Sequence, residues 1–373
     1  MKYTFGQIAI NSTAKKKPTE EDKLNYIGLE HLSSDTFDVP IYGSDVAPTG
    51  EKLIIKKGDI LFGKRRAYQK KVGISPIDGI FSAHGFVLRP REEVVCPEYF
   101  PFFIASNQFL ETAIRISVGG LSPTVNWKDI EKQEFDLPPL SEQKVLAEKL
   151  WAAYRLKESY KRMIEATDEM VKSQFIEMFG ECQHKEKLSS LCETFIDGDW
   201  IESKDQSEEG IRLVQTGNVG YGYFKDKEDK SRYISEDTFN RLHCTEIFAG
   251  DILVSRLPDP IGRACIIPEG IGRMITAVDC SIIRLKNIIL PEYFISYTMT
   301  SSYSAQINEV TTGTTRRRVS RANLGNVLVP CPSLEAQRQF VTISQQADKS
   351  EFELRKSIDA IDKVIKSMIN NIC

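Results

Sequence analysis

The chain is expected to adopt an α+β fold in which two similar strand-rich domains are separated by two long antiparallel helices, a coiled-coil dumbbell with an approximate two-fold axis. Three observations predict it: an internal repeat, a strand-then-helix texture within each copy, and two apolar stripes on long Gly- and Pro-free segments. The first copy runs through Gly58-Asp59-Ile60-Leu61, Pro97-Glu98-Tyr99-Phe100, Gly119, Val125 and Leu137-Pro138-Pro139-Leu140-Ser141-Glu142-Gln143. The second runs through Gly250-Asp251-Ile252-Leu253, Pro291-Glu292-Tyr293-Phe294, Gly313, Val319 and Pro330-Cys331-Pro332-Ser333-Leu334-Glu335-Ala336-Gln337. The copies are 192 residues apart at the first landmark and 194 from the second onward. A unit of this length exceeds a solenoid repeat of roughly 20 to 50 residues, so it is a duplicated domain with its helix.

Up to about residue 136, short apolar runs are punctuated by Gly and Pro, the texture of many short strands. Leu53-Ile54-Ile55, Ile60-Leu61-Phe62, Val72-Gly73-Ile74 and Phe86-Val87-Leu88 are the expected strands of the first copy, and Tyr99 to Ile116 its helical segment. Ile252-Leu253-Val254, Cys265-Ile266-Ile267 and Ser281-Ile282-Ile283 repeat the strands, and Tyr293 to Val310 the helical segment.

From Ser141, Gly and Pro vanish until Gly180. Leu146, Leu150, Ala153, Tyr160, Ile164 and Val171 recur at heptad-like steps, interrupted by the polar Lys157 and Gln174. A helix of this size is roughly 58 Å long at 1.5 Å per residue, longer than one domain core is deep. The last segment carries a cleaner stripe, Leu354, Ile358, Ile361, Ile365, Met368 and Ile372, at steps of 4 and 3. The expected division is therefore 1–139 for the first domain, 140–180 for the first long helix, 181–332 for the second domain and 333–373 for the second long helix. An antiparallel return of the last helix along the first converts a direct repeat into a pseudo-two-fold object, and B-DNA has two-fold axes perpendicular to its length.

Composition is that of a soluble globular chain, with 41% hydrophobic and 27% charged residues. No apolar run is long enough to span a bilayer and the N-terminus lacks signal-peptide features, so a cytoplasmic location is expected. The eight cysteines show no Cys-x-x-Cys spacing, which argues against a zinc ribbon or redox pair and for reduced core residues. No metal site is expected.

The net charge of −3 conceals an uneven distribution. Between Lys52 and Lys71 stand eight basic residues and one acid, Asp59. Of these, Lys64, Arg65, Arg66, Lys70 and Lys71 follow an expected strand, with Arg256 at the equivalent place in the second copy. Such a run is either a solvated loop or a phosphate-neutralising one, and Arg also suits guanine readout. The second candidate is the loop before each domain's final strand. Gly119, Gly120, Thr124 and Asn126 in one copy correspond in position to Gly313, Thr314, Thr315, Arg316, Arg317 and Arg318 in the other, with Arg321 just beyond. Glycine allows close backbone approach to a phosphate, and hydroxyl and amide groups can meet base edges. His84 is read as an ordinary satisfied histidine. No Asp/Asn-Pro-Pro-Tyr/Phe box, Gly-rich nucleotide loop or complete nuclease motif occurs, so no catalytic residue is expected.

Together the tandem organisation, the Gly-Asp-Ile-Leu box, the Gly/Thr-rich loop and Leu137-Pro138-Pro139-Leu140-Ser141-Glu142-Gln143 before a long helix resemble the specificity subunit of a Type I restriction-modification system. The resemblance covers essentially the whole chain, with one extra residue expected before the second long helix. It implies a non-catalytic DNA-binding subunit with two target recognition domains reading a bipartite, asymmetric site whose spacer the helices set. Two methylase subunits would dock on the helices and restriction subunits would join them. No cofactor is expected in this chain; S-adenosylmethionine and ATP with Mg would belong to the partner subunits. The alternatives are the same architecture serving a fused nuclease-methylase of the Type IIB/IIG kind, and a coiled-coil scaffold with no DNA role.

Overall fold

The computed structural model describes residues 1–313 and 317–370. The chain separates into two compact units, residues 1–162 with 354–373, and residues 163–353. Both long helices are therefore shared, each contributing one half to either unit.

In the first unit, an antiparallel sheet has the order Ala9–Asn11, Phe86–Pro90, Ile60–Phe62, Val72–Ile74. A second sheet has the order Lys15–Lys16, Lys52–Ile55, Gly79–Phe81, Tyr26–Ile27, and its last pair is parallel. The second unit repeats the first sheet strand for strand: Cys192–Asp197, Cys280–Leu285, Ile252–Ser255, Ala264–Ile266. Its other sheet runs Tyr233–Ile234, Ile211–Val214, Met274–Thr276, Glu246–Ile247. The two second sheets share three strands and differ at the edge: Lys15–Lys16 extends one side in the first unit, Tyr233–Ile234 the opposite side in the second.

The Gly-Asp of the repeated box is explained by the turn it makes. Gly58 and Gly250 take φ of 90° and 89°, a conformation that favours glycine. The following aspartate closes the turn: Asp59 accepts the Lys56 N–H at 2.8 Å, and Asp251 that of Phe248 at 2.9 Å. Each carboxylate, nearly buried, then receives a bidentate guanidinium from the neighbouring strand, Arg89 at 2.6 and 2.9 Å and Arg284 at 2.8 and 2.9 Å.

The helical segment expected over Tyr99 to Ile116 is two helices, Phe100–Ile104 and Asn107–Arg115. Its counterpart divides likewise, into Pro291–Thr298 and Ser301–Val310. A hydroxyl breaks each one: Ser106 Oγ accepts the Phe109 N–H, and Thr300 Oγ1 that of Tyr303, both at 3.3 Å. Capping side chains start a new helix more readily than they continue an old one.

The long helices run Leu140–Phe179 and Leu334–Asn370. The extra residue expected before the second is absent, because Pro138 and Leu140 align with Pro332 and Leu334 at the same 194-residue offset. Fully buried Gln143 accepts the Cys96 N–H at 2.8 Å and donates to the carbonyls of Val94 and Pro138 at 3.0 and 2.9 Å. Gln337 accepts from Leu290 at 2.9 Å and donates to Ile288 and Pro332 at 3.1 and 2.9 Å. One amide thus locks each helix start to the loop before the Pro-Glu-Tyr-Phe box.

Within the first unit, Leu150 and Tyr154 of the first long helix and Ile369 of the last are buried in one core, with Leu146, Ile365 and Met368 packed against it. Lys157, the polar interruption of the stripe, lies 2.7 Å from Asp362. Within the second unit, Phe175 and Phe179 meet Phe340 at centroid distances of 5.1 and 5.8 Å, and Val171 packs against the same core. In either unit the two segments run antiparallel. Ile164 is buried, whereas Ala153, Tyr160, Leu354, Ile358 and Ile361 are half-buried, and Ile372 lies outside the described residues. The buried stripe is wider than the expected seam, because Tyr154, Phe175 and Phe179, just beside it, pack on the adjoining domain.

Candidate nucleic-acid interface

In the first unit, the two segments singled out from the sequence come together. The chain leaving the strand Ile60–Phe62 lies against the loop 118–126: Val125 N–H donates to the Lys64 carbonyl at 3.0 Å and Arg66 N–H to that of Pro123 at 2.7 Å. Arg66 Nε also donates to Ser122 Oγ at 3.2 Å. Arg66 and Lys70 adopt left-handed backbone conformations, φ 57° and 52°, which bracket the short turn Ala67–Gln69. The loop is a hairpin, since Val118 and Thr124 exchange both backbone hydrogen bonds at 3.0 and 2.9 Å. Gly119, at φ 116°, makes the bend, and Gly120 has open space where a Cβ would stand.

The cations in this region have different surroundings. Arg66 and Lys70 are exposed and Arg65 is half-exposed. Lys64 lies over the Phe86 ring, 5.2 Å from its centroid, and burial followed by the nearby Lys15 pushes its pKa below the usual lysine value. Lys71 Nζ donates to the Leu29 carbonyl at 2.7 Å. Asn126, exposed, bonds Asp129 at 3.2 Å, and Thr124 donates to the Ser122 carbonyl at 3.2 Å. A cleft of about 410 Å³ is lined by Arg65, Arg66 and Lys71 with Tyr26, Glu30 and His84. His84 is exposed rather than packed in a core, and burial followed by Arg65, Lys64 and Lys52 holds its pKa below the ordinary imidazole value. Tyr26 and Glu30 carry no signal in the sequence, because only the parallel pairing of Tyr26–Ile27 with Gly79–Phe81 carries that segment to the cationic loop.

The second unit keeps the backbone arrangement and changes the charges. Val319 N–H donates to the Arg256 carbonyl at 3.2 Å, and Thr312 and Arg318 exchange hydrogen bonds at 3.0 and 2.9 Å across a hairpin whose Gly313 has φ 95°. Thr314, Thr315 and Arg316 lie outside the described residues. Arg317, Arg318 and Arg321 are exposed. Arg256, expected among the solvent-facing cations, is instead 4% exposed, with Nη2 donating to the Val278 carbonyl at 2.6 Å and Nε 3.5 Å from Asp197. Its guanidinium is enclosed by the parts of the unit that it holds together. Arg263, missed by the sequence reading, is equally internal and donates to the carbonyls of Val219, Leu257, Pro260 and Thr216 at 2.8 to 2.9 Å.

Among the described residues no cluster of three or more His, Cys, Asp or Glu side chains is arranged to hold a metal ion, and no helix is long and apolar enough to cross a membrane. The assembled features are a cationic loop, a glycine hairpin and a shallow cleft, a combination suited to holding a polyanion. The chain belongs to the family of the Type I restriction modification DNA specificity domain, which matches it twice, over residues 5–166 and 184–362. It is 23% identical over 371 residues to the Type I restriction enzyme MjaVIII specificity subunit of Methanocaldococcus jannaschii, covering 91% of this chain and 84% of that protein. It is 22% identical over 395 residues to the EcoKI specificity subunit of Escherichia coli K12, covering 94% and 83%. A chain solved in work on the complex assembly and conformational transition of the type I R-M system superposes with a TM-score of 0.61 at 17% identity, covering all of this chain and 97% of that one, a likeness of fold.

Proposed function

We propose that this chain is the DNA sequence-specificity subunit of a Type I restriction-modification complex, without catalytic residues of its own. Each repeat domain reads one half of a bipartite, asymmetric site on double-stranded DNA, the long helices dock two methylase subunits, and restriction subunits join that assembly. The carrying observation is that the family match occurs twice, over the two copies in which a hairpin is hydrogen-bonded to the chain after the Gly-Asp-Ile-Leu strand. The exposed cations fall at different places in the two copies, Arg66 after the Gly-Asp-Ile-Leu strand in one and Arg317, Arg318 and Arg321 on and just beyond the hairpin in the other, which supports two unlike half-sites. Within this reading Gly119, Gly120, Thr124, Asn126 and Gly313 form the close-approach backbone, Arg65 and Lys70 meet phosphates, and the location is the prokaryotic cytoplasm.

Genome-wide detection of methylated bases, with this gene present and deleted, tests the proposal. A bipartite motif that disappears with the gene is the expected result; an unchanged methylation pattern overturns it. With the purified complex, affinity for duplex DNA should fall steeply with salt, because released counterions accompany each neutralised phosphate.

A further inference from the structure

Leu121 is 97% exposed, the most exposed of the large apolar side chains among the described residues. It stands at the tip of the hairpin closed by Val118 and Thr124, between Gly120 and Ser122. The base of this loop is anchored, since the Pro123 carbonyl and Ser122 hydroxyl both accept from Arg66, at 2.7 and 3.2 Å. A leucine is thus carried on an anchored loop whose neighbouring residues are held by Arg66 at Ser122 and Pro123 and by Arg65 at Thr124.

A surface of cations meets phosphates, but a phosphate gives a leucine nothing. On a duplex, the apolar group open to a side chain is the thymine 5-methyl, which projects into the major groove. Groove width points the same way, because the major groove, about 12 Å wide, admits a two-stranded ribbon without being opened, whereas the minor is about 6 Å wide. Resting on the DNA-reading role above, we propose that Leu121 is a specificity-determining residue that contacts the methyl group of one thymine in the half-site read by the first domain, while Arg65, Arg66 and Lys70 hold the flanking backbone.

The test uses the full chain assembled with its methylase subunits and a duplex carrying the motif mapped by methylation. Each thymine of the motif is replaced in turn by deoxyuridine, which removes only the methyl group. At one position wild-type binding should weaken about fourfold, the value of one buried methyl-sized group. The Leu121→Ala complex should bind the unmodified duplex more weakly and no longer distinguish thymine from uracil at that position. Its thermal unfolding should match the wild type. A motif without a sensitive thymine, or a methyl effect undiminished in Leu121→Ala, overturns the inference. Insertion of Leu121 between base pairs would instead brighten a neighbouring 2-aminopurine with no loss on removing a methyl, and also overturns it. The Arg65→Ala/Arg66→Ala double variant separates the two claims: if its affinity for duplex DNA is unchanged, the first domain's DNA-reading role fails whatever the thymine scan shows.

Discussion

Lys157 Nζ stands 2.7 Å from Asp362 Oδ1, joining the two long helices within the first unit across 205 residues of sequence. The ammonium also donates to the Asp35 carbonyl at 2.9 Å, so the lysine that interrupts the apolar stripe has two fixed partners. Its side chain is 7% exposed and that of Asp362 34%. Removing the acid leaves a nearly buried charge with one partner, between a surface pair at roughly 0–1 kcal/mol and a fully buried one at roughly 3–5 kcal/mol. Asp362→Ala should destabilise the first unit by about 2 kcal/mol, and Lys157→Met by less, because a methionine fills the space without a charge. Denaturant unfolding of both variants checks the order.

Gln143 and Gln337 make the same three bonds in the two repeats, and each has its own prediction. Gln143→Glu should be more damaging than Gln143→Ala, since a carboxylate in that fully buried position cannot donate to the Val94 and Pro138 carbonyls. An alanine strands three polar groups, at about 1–3 kcal/mol for each that water cannot reach. Hydrogen exchange should show the same loss of protection at the start of the second helix in Gln337→Ala.

Arg66 and Arg256 should respond oppositely to replacement by alanine. Arg66 is exposed, so Arg66→Ala should lower the slope of log affinity against log salt by about 0.9, the value of one phosphate contact, with little change in thermal stability. Arg256 is enclosed with Asp197 and the Val278 carbonyl, so Arg256→Ala should cost about 2 kcal/mol of stability and leave the salt slope nearly unchanged. Salt titrations and melting curves measured together decide the assignment.

DNA affinity should rise as pH falls through the imidazole range, about 6.5. In the free protein, burial and then Arg65, Lys64 and Lys52 hold the His84 pKa below that value. Phosphates at the same cations raise it, so the bound state carries more protons and acid favours binding. The free protein changes in the other direction: a folded pKa below the unfolded one means stability is lost as pH falls toward the folded pKa. His84→Asn should flatten both dependences. A wild-type affinity that is unchanged or weaker between pH 7.5 and 6 would count against phosphate contact here.

Much of the fold was legible because its signals are local. Strands such as Ile60–Phe62 and Ile252–Ser255 appear as short apolar runs between turn residues, and the long helices as segments free of Gly and Pro. The breaks at Ser106 and Thr300 were not seen, since apolar spacing continues through them while a single hydroxyl caps a new helix. The cationic loop and the glycine hairpin were legible as two candidates, but not as one surface. Their contact depends on backbone bonds between Val125 and Lys64, distant in sequence and without any side-chain signature.

By itself, the sequence determined the duplication, the α+β class and the two helices that close the copies, because repeats and periodicities are properties of neighbouring residues. The tertiary structure alone decided which charges remain in water. Lys64 and Arg256 occupy the same place in the repeat, and each backbone accepts from a valine of the hairpin. Yet Lys64 is half-buried over the Phe86 ring, while Arg256 is enclosed with Asp197 and the Val278 carbonyl. A side chain's exposure is set by what the fold places opposite it, and no spacing along the chain records that.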